Sequence, residues 1–94
     1  MAIGLLQEFE ATVDQYNQVH EAVHPEDDPP DGLIMHCGGE IDGGKIRVWD
    51  VWESQAKFDE FMEARLGAAI ADAMGADTAP TKFEVIDIID LTIP

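Results

Sequence analysis

His36, within Leu33-Ile34-Met35-His36-Cys37, and Asp50, within Val48-Trp49-Asp50-Val51-Trp52-Glu53-Ser54, are the residues whose types suit proton chemistry. A neutral imidazole abstracts an acidic proton near pH 7, and a carboxylate beside it either orients the ring or serves as the base itself. Both residues lie in apolar stretches, and folding alone does not demand an acid between two tryptophans. Trp52, and after it Trp49, are the aromatic groups expected to line a pocket around such a base. The plainer roles are a His36 satisfied by a hydrogen bond at a sheet face or subunit seam, and an Asp50 paired with Arg47 or a backbone donor.

His20 and His24 stand four apart and share a helix face, with Glu21, Asp27 and Asp28 nearby as oxygen ligands. The spacing suits zinc, but no firm third ligand follows, and a cap or surface role for His24 beside Pro25 is the simpler reading. Cys37 has no cationic neighbour in sequence and reads as a buried, inert thiol. Tyr16, Phe58, Phe61 and Met62 fall at helical spacing and read as core. Gly38-Gly39 and Gly43-Gly44 read as turn glycines, outside the strand-then-helix setting of a phosphate loop.

These side chains need a scaffold, and the apolar periodicity supplies one. Residues 2–9 alternate as a strand, with Ile3, Leu5 and Phe9 on one side, Leu6 on the other, and Gln7 standing out among the apolar set. Thr12 with Gln15 predicts a capping box, followed by a helix with Val13, Tyr16, Val19/His20 and Val23 inward, stopping before Pro25. Residues 26–31 form a polar loop. A second strand runs from Gly32 to Gly38 or Gly39 and a third from Lys45 to Glu53, joined by a turn around Asp42-Gly43-Gly44. Ser54 opens a second helix reaching about Gly75, with Phe58, Phe61/Met62, Leu66, Ala69/Ile70 and Ala73 inward and a kink or split expected at Gly67. Residues 82–91 make a fourth strand.

The order is βαββαβ in a single domain spanning residues 1–94, a ferredoxin-like α+β arrangement of a four-stranded antiparallel sheet with two helices on one face. Strands two to four carry apolar residues on both sides, so a second layer must cover the other face. An identical subunit is the simplest cover, and a homodimer is expected.

Hairpin register decides whether the two candidate groups meet. A two-residue turn at Asp42-Gly43 sets Met35 opposite Asp50 and puts His36 with Trp49 on the other face. A one-residue bulge brings His36 and Asp50 to the same side. Asp50 and Trp52 share a face by strand alternation in either case.

Composition bounds the partners. Twenty acidic residues against five basic ones give a formal charge of −15, which disfavours nucleic acid and anionic membrane partners. The 46% apolar content, spread along the chain, argues for a folded domain. One cysteine excludes an internal disulfide, no apolar run reaches the roughly 20 residues of a membrane span, and no signal-peptide pattern is present. A cytoplasmic location is the default expectation.

The element order, the length and the Val51-Trp52-Glu53-Ser54 crossing into a helix bearing Phe58 and Phe61 resemble the dimeric α+β barrel superfamily, particularly antibiotic-biosynthesis-monooxygenase-like proteins. The resemblance implies a homodimeric barrel with an interior pocket in each subunit. It also implies a cofactor-independent monooxygenase acting on a small aromatic or polyketide-like molecule, with no cofactor or metal. The alternative is a non-catalytic dimeric module that binds a small hydrophobic ligand or serves a stress role. The haem-degrading branch contributes one position, its pocket tryptophan, matched by Trp52. Its first-strand asparagine and its iron-binding histidine in or after the second helix have no counterpart here.

Overall fold

The computed structural model describes all 94 residues. Strand β1 (Ile3–Glu10) leads to helix α1 (Val13–Val23), then to the hairpin of β2 (Leu33–Asp42) and β3 (Lys45–Trp52). Helix α2 (Gln55–Phe61) continues through one π-helical turn (Met62–Leu66) into α3 (Gly67–Met74), and β4 (Lys82–Asp87) ends the fold. The sheet is antiparallel in the order β2-β3-β1-β4, so the helical connections cover one face, as the βαββαβ order requires.

Local sequence explains the helix starts. The Thr12 hydroxyl accepts from the Gln15 backbone N–H while the Gln15 side chain accepts from the Thr12 N–H, a complete capping box. Ser54 caps α2 by accepting from the Lys57 N–H at 3.3 Å. Helix α1 ends at Val23 with His24 in the left-handed region, φ 53°. The irregularity expected at Gly67 falls in the turn before it, where the Gly67 N–H reaches back to the Met62 carbonyl across five residues. A Cβ at Gly67 would come within 2.9 Å of that carbonyl oxygen, so the wide turn depends on the glycine.

The core fills the space between the inner sheet face and the helices. Ile3, Leu5 and Phe9 of β1, Ile46, Val48 and Trp52 of β3, Val19 and Val23 of α1, and Ala69 and Ile70 of α3 are buried there. Val13 is largely exposed, one departure from the expected inner stripe of α1. It sits at the first helical position, where the chain has just left the end of the inner strand β1. Strand β2 runs on to Asp42, three or four residues beyond the expected end, because its glycines pair within the ladder instead of turning. Strand β4 stops at Asp87 rather than Leu91. Asp87 already faces Ile3, the first residue of β1, and beyond it a single backbone bond, from the Ile88 N–H to the Ala2 carbonyl at 2.9 Å, ends the pairing.

Register is the decisive feature. Asp42 pairs with Lys45, so the two-residue turn is Gly43–Gly44, with Gly44 at φ +90°, and not Asp42-Gly43. Glu40 then pairs with Ile46, leaving Ile41 as an extra residue, and His36 comes opposite Asp50 while Cys37 comes opposite Trp49. A second irregularity between Leu33 and Met35 restores Leu33 to the partner of Trp52. The bulged register therefore places His36 on the inner face with Asp50 and Trp52.

Candidate active site

Asp50 projects from the middle of β3 into the sheet–helix layer and is 5% exposed. Both of its oxygens are engaged. Oδ2 accepts from the Trp52 indole N–H at 3.1 Å, and Oδ1 lies 2.6 Å from Nδ1 of His36. A carboxylate only accepts, so the Nδ1 nitrogen carries the proton, and in the neutral ring Nε2 is left as an acceptor. The Tyr16 hydroxyl, reaching across from α1, lies 2.8 Å from that Nε2 and donates to it. The four side chains form one line, Trp52–Asp50–His36–Tyr16, running from the core to the edge of the layer.

Each member is held from behind. Trp52 is fully buried, with Phe58 edge-on at 5.6 Å and Phe61 tilted against it at 5.4 Å between ring centroids. The Tyr16 ring lies parallel to His36, and it passes over Gly38, where a Cβ would stand 2.6 Å from the hydroxyl oxygen. Gly38 is thus a close-approach glycine and not a turn glycine. Burial, and after it the negative charge of Asp50, push the Tyr16 hydroxyl above its ordinary value, so it stays protonated and donating at neutral pH.

The line borders a cavity of about 80 Å³. Phe9, Ile46 and Val48 wall it from the sheet, Val19, Leu66 and Ile70 from the helices, and Tyr16, His36, Asp50 and Trp52 supply its polar side. His20 stands at the rim, its ring centroid 6.0 Å from that of His36, and Pro25 and Pro30 of the α1–β2 loop close over the mouth. The loop is tied down by charge at three points. Glu26 pairs with His20, whose hydrogen bond holds the Glu26 carboxyl below the usual range. Asp31 pairs with Lys57 at 2.6 Å and raises the lysine. The Arg65 guanidinium, stacked 5.5 Å from the Phe61 ring centre, donates to the carbonyls of Val23 and Asp28.

The expected site residues separate cleanly. His36, Asp50 and Trp52 share the cavity wall. Trp49 does not; it lies on the opposite sheet face, beside Gly4 and Ile86, because strand alternation sends it away from Asp50. Asp50 does not pair with Arg47, which faces Glu8 at 2.9 Å on that outer side. Cys37 is exposed on the outer face, contrary to the expectation of a buried thiol. His20 and His24 gather no third ligand, and no group of three His, Cys, Asp or Glu side chains is arranged to hold a metal ion. Tyr16 and Gly38 were legible only as core and turn. The available signal was joint: a tyrosine polar tip on an inward helix face, above a glycine within a strand.

The architecture has known counterparts. Over 98% of this chain and 97% of the other, it superposes on the protein from Chloroflexus aurantiacus that carries the antibiotic biosynthesis monooxygenase name, with a TM-score of 0.68 at 15% identity. The fold is that of the antibiotic-biosynthesis-monooxygenase-like proteins. SnoaB of Streptomyces nogalater, described as a cofactor-independent oxygenase, matches with a TM-score of 0.68 at 14% identity, covering 99% of this chain and 97% of that one. The NE2512 protein of Nitrosomonas europaea, of unknown function, matches with a TM-score of 0.71 at 16% identity over 99% of this chain and 94% of that one. No family model and no curated protein sequence matches the chain. No helix is long and apolar enough to cross a membrane.

Proposed function

We propose that this protein is a cofactor-independent monooxygenase acting on a small phenolic or polyketide-like aromatic molecule, with His36 as its base. The carrying observation is the Asp50–His36–Tyr16 line on the wall of a mainly apolar cavity. Asp50 fixes the His36 tautomer and stabilises the imidazolium that proton uptake creates, as a carboxylate does behind a histidine base generally. Since Tyr16 occupies Nε2, it serves as the contact to the substrate. Its oxygen takes the substrate proton as its own passes to Nε2, or it swings aside and leaves Nε2 open.

The deprotonated, electron-rich ring then reacts with dioxygen, the co-substrate. For an activated CH₂ group, one oxygen atom becomes the new carbonyl and the other leaves as water with the two hydrogens. The apolar walls keep bulk water from the reactive anion. SnoaB, with the same fold and a cofactor-independent oxygenase by description, supports the reaction class.

The same proposal makes the protein a homodimer. Met35, Ile86 and Trp49 lie on the outer sheet face with no helix above them, and Ile86 is 48% exposed. The test of function is oxygen uptake with a panel of quinols and anthrones. Uptake that disappears in His36→Gln bears the proposal out. No uptake with any of them, together with a ligand-induced rise in melting temperature, assigns the pocket to binding without turnover.

A further inference from the structure

Gln7 is the one inward residue of β1 that the core does not account for. Its neighbours on that face are Ile3, Leu5 and Phe9, and its cross-strand partners are Val48 on β3 and Phe83 on β4, none of which offers a polar side chain. The residue is 3% exposed, and its side-chain oxygen is the one buried polar side-chain atom in the protein without a hydrogen-bond partner. An unpaired buried amide opposes folding, and an apolar residue of similar size would fill the place without that penalty. Gln7 also lines the cavity that holds the His36 site, at the side where a second cavity of about 200 Å³, under α3, approaches the first.

We infer that Gln7 is a specificity-determining residue that hydrogen-bonds a second, neutral hydroxyl on the ligand, at the end of the cavity away from His36. The inference rests on the proposed binding of an aromatic molecule in this pocket, and not on its turnover. Register gives the separation. Gln7 is two strands from His36 and two residues further along the sheet, which sets their Cα atoms roughly 12 Å apart. Both side chains rise from the same sheet face, so their tips stay about that far apart, a span that suits a fused two-ring aromatic with a hydroxyl at each end.

The chemistry of the far group follows from the lining. A glutamine amide both donates and accepts, which suits a hydroxyl. None of the lining residues is lysine or arginine, so a carboxylate or phosphate at that end would be buried without a counter-charge. The formal charge of −15 further disfavours an anionic ligand. Gln7 is a positioning residue, since it lies away from the proton-transfer line.

The test compares two probes under argon, so that no turnover intervenes: a naphthalenediol with a hydroxyl on each ring, and the naphthol lacking the far hydroxyl. Binding to the full chain is read by fluorescence, with Gln7→Leu and Gln7→Met as variants. Wild type is expected to prefer the diol by about tenfold, and both variants to lose that preference while keeping their affinity for the naphthol. The variants should also melt at or above the wild-type temperature, because the unpaired amide has gone. Equal binding of the two probes to wild type, or a preference that survives in the variants, overturns the inference while leaving the pocket intact. A lower melting temperature with the preference unchanged assigns Gln7 to packing or a resident water, and also overturns it. Failure of both probes to bind wild type removes the aromatic-ligand proposal and this inference with it, whereas binding without oxygen uptake in air removes only the catalytic claim.

Discussion

Nδ1 of His36 lies 2.6 Å from Oδ1 of Asp50 because one extra residue in β2, Ile41, brings the two side chains into register across the hairpin. Were Ile41 instead paired with Ile46 in an unbulged ladder from the Gly43–Gly44 turn, His36 would stand opposite Val51 and aim its imidazole at the outer face. The bulge is therefore the element that builds the site. Asp50→Asn tests what the contact does. The asparagine side chain still accepts from the Trp52 indole but holds the imidazole less strictly in the Nδ1–H form and leaves the imidazolium unbalanced. Oxygen uptake is expected to fall by about 10²–10⁴-fold, the usual contribution of a positioned base, with little change in the affinity of the bound aromatic.

Gly38→Ala addresses the other end of the line. The added Cβ would stand 2.6 Å from the Tyr16 hydroxyl oxygen and 2.8 Å from the carbon that bears it, too close for either to remain. The tyrosine ring must move off His36, and destabilisation of about 1–3 kcal/mol is expected from the overpacking. Gly39→Ala is the control, since a Cβ there meets nothing within 4 Å. Urea unfolding of the two variants checks the difference; similar midpoints would mean that Tyr16 is not seated on Gly38.

Much of this was readable in the chain. The capping box at Thr12, the Ser54 cap, the βαββαβ order and the shared face of Asp50 and Trp52 are local or periodic, and periodicity survives without coordinates. The position of His36 was not, because both register alternatives satisfy the same hydrophobic pattern and a single residue separates them. Tyr16 escaped for a related reason. An inward tyrosine at helical spacing looks like core until the group its hydroxyl meets, twenty residues away, is placed. Trp49 and Cys37 went astray because a sheet with apolar residues on both faces does not announce which face holds the pocket.

Tyr16 is the only tyrosine in the chain, so its ionisation can be followed directly by ultraviolet absorbance. Burial and the Asp50 charge raise its folded value above the ordinary 10.0. A raised value means that the folded state keeps a proton the unfolded state has lost. The resulting stability is fully present below about pH 10 and is lost as pH rises through the folded-state value. The titration should lie above that of the urea-unfolded chain, and Tyr16→Phe should lack the corresponding alkaline fall in melting temperature. Coincident folded and unfolded titrations would contradict the buried placement.

Arg65 binds the loop over the cavity through backbone carbonyls, so its effect should be local. Its guanidinium donates to the Asp28 carbonyl at 2.9 Å and to that of Val23, while the Asp28 amide donates to His24 at 2.9 Å. Arg65→Met keeps the apolar stem against Phe61 and removes the donors. Faster amide exchange at Asp27 and Asp28 is expected, with a global loss of about 1 kcal/mol and unchanged exchange in β1 and β3. Loss of protection throughout the sheet would show instead that Arg65 supports the core.

The outer sheet face gives the last expectation. Trp49 packs there against Gly4, where a Cβ would come within 3.0–3.1 Å of Ile86, Ile88 and the indole, and Met35 and Ile86 lie exposed on the same surface. Two copies joining through this face would bring together chains that each carry a formal charge of −15, so apolar burial must offset the repulsion between them. Added salt screens that repulsion and leaves the apolar term in place. Association measured by sedimentation should therefore strengthen from low to moderate salt, opposite to an interface held by ion pairs. Trp49→Glu should shift the protein to monomer at all salt concentrations while leaving the cavity, on the other side of the sheet, able to bind its aromatic probe. An association that weakens with salt, or one indifferent to Trp49→Glu, would place the interface elsewhere.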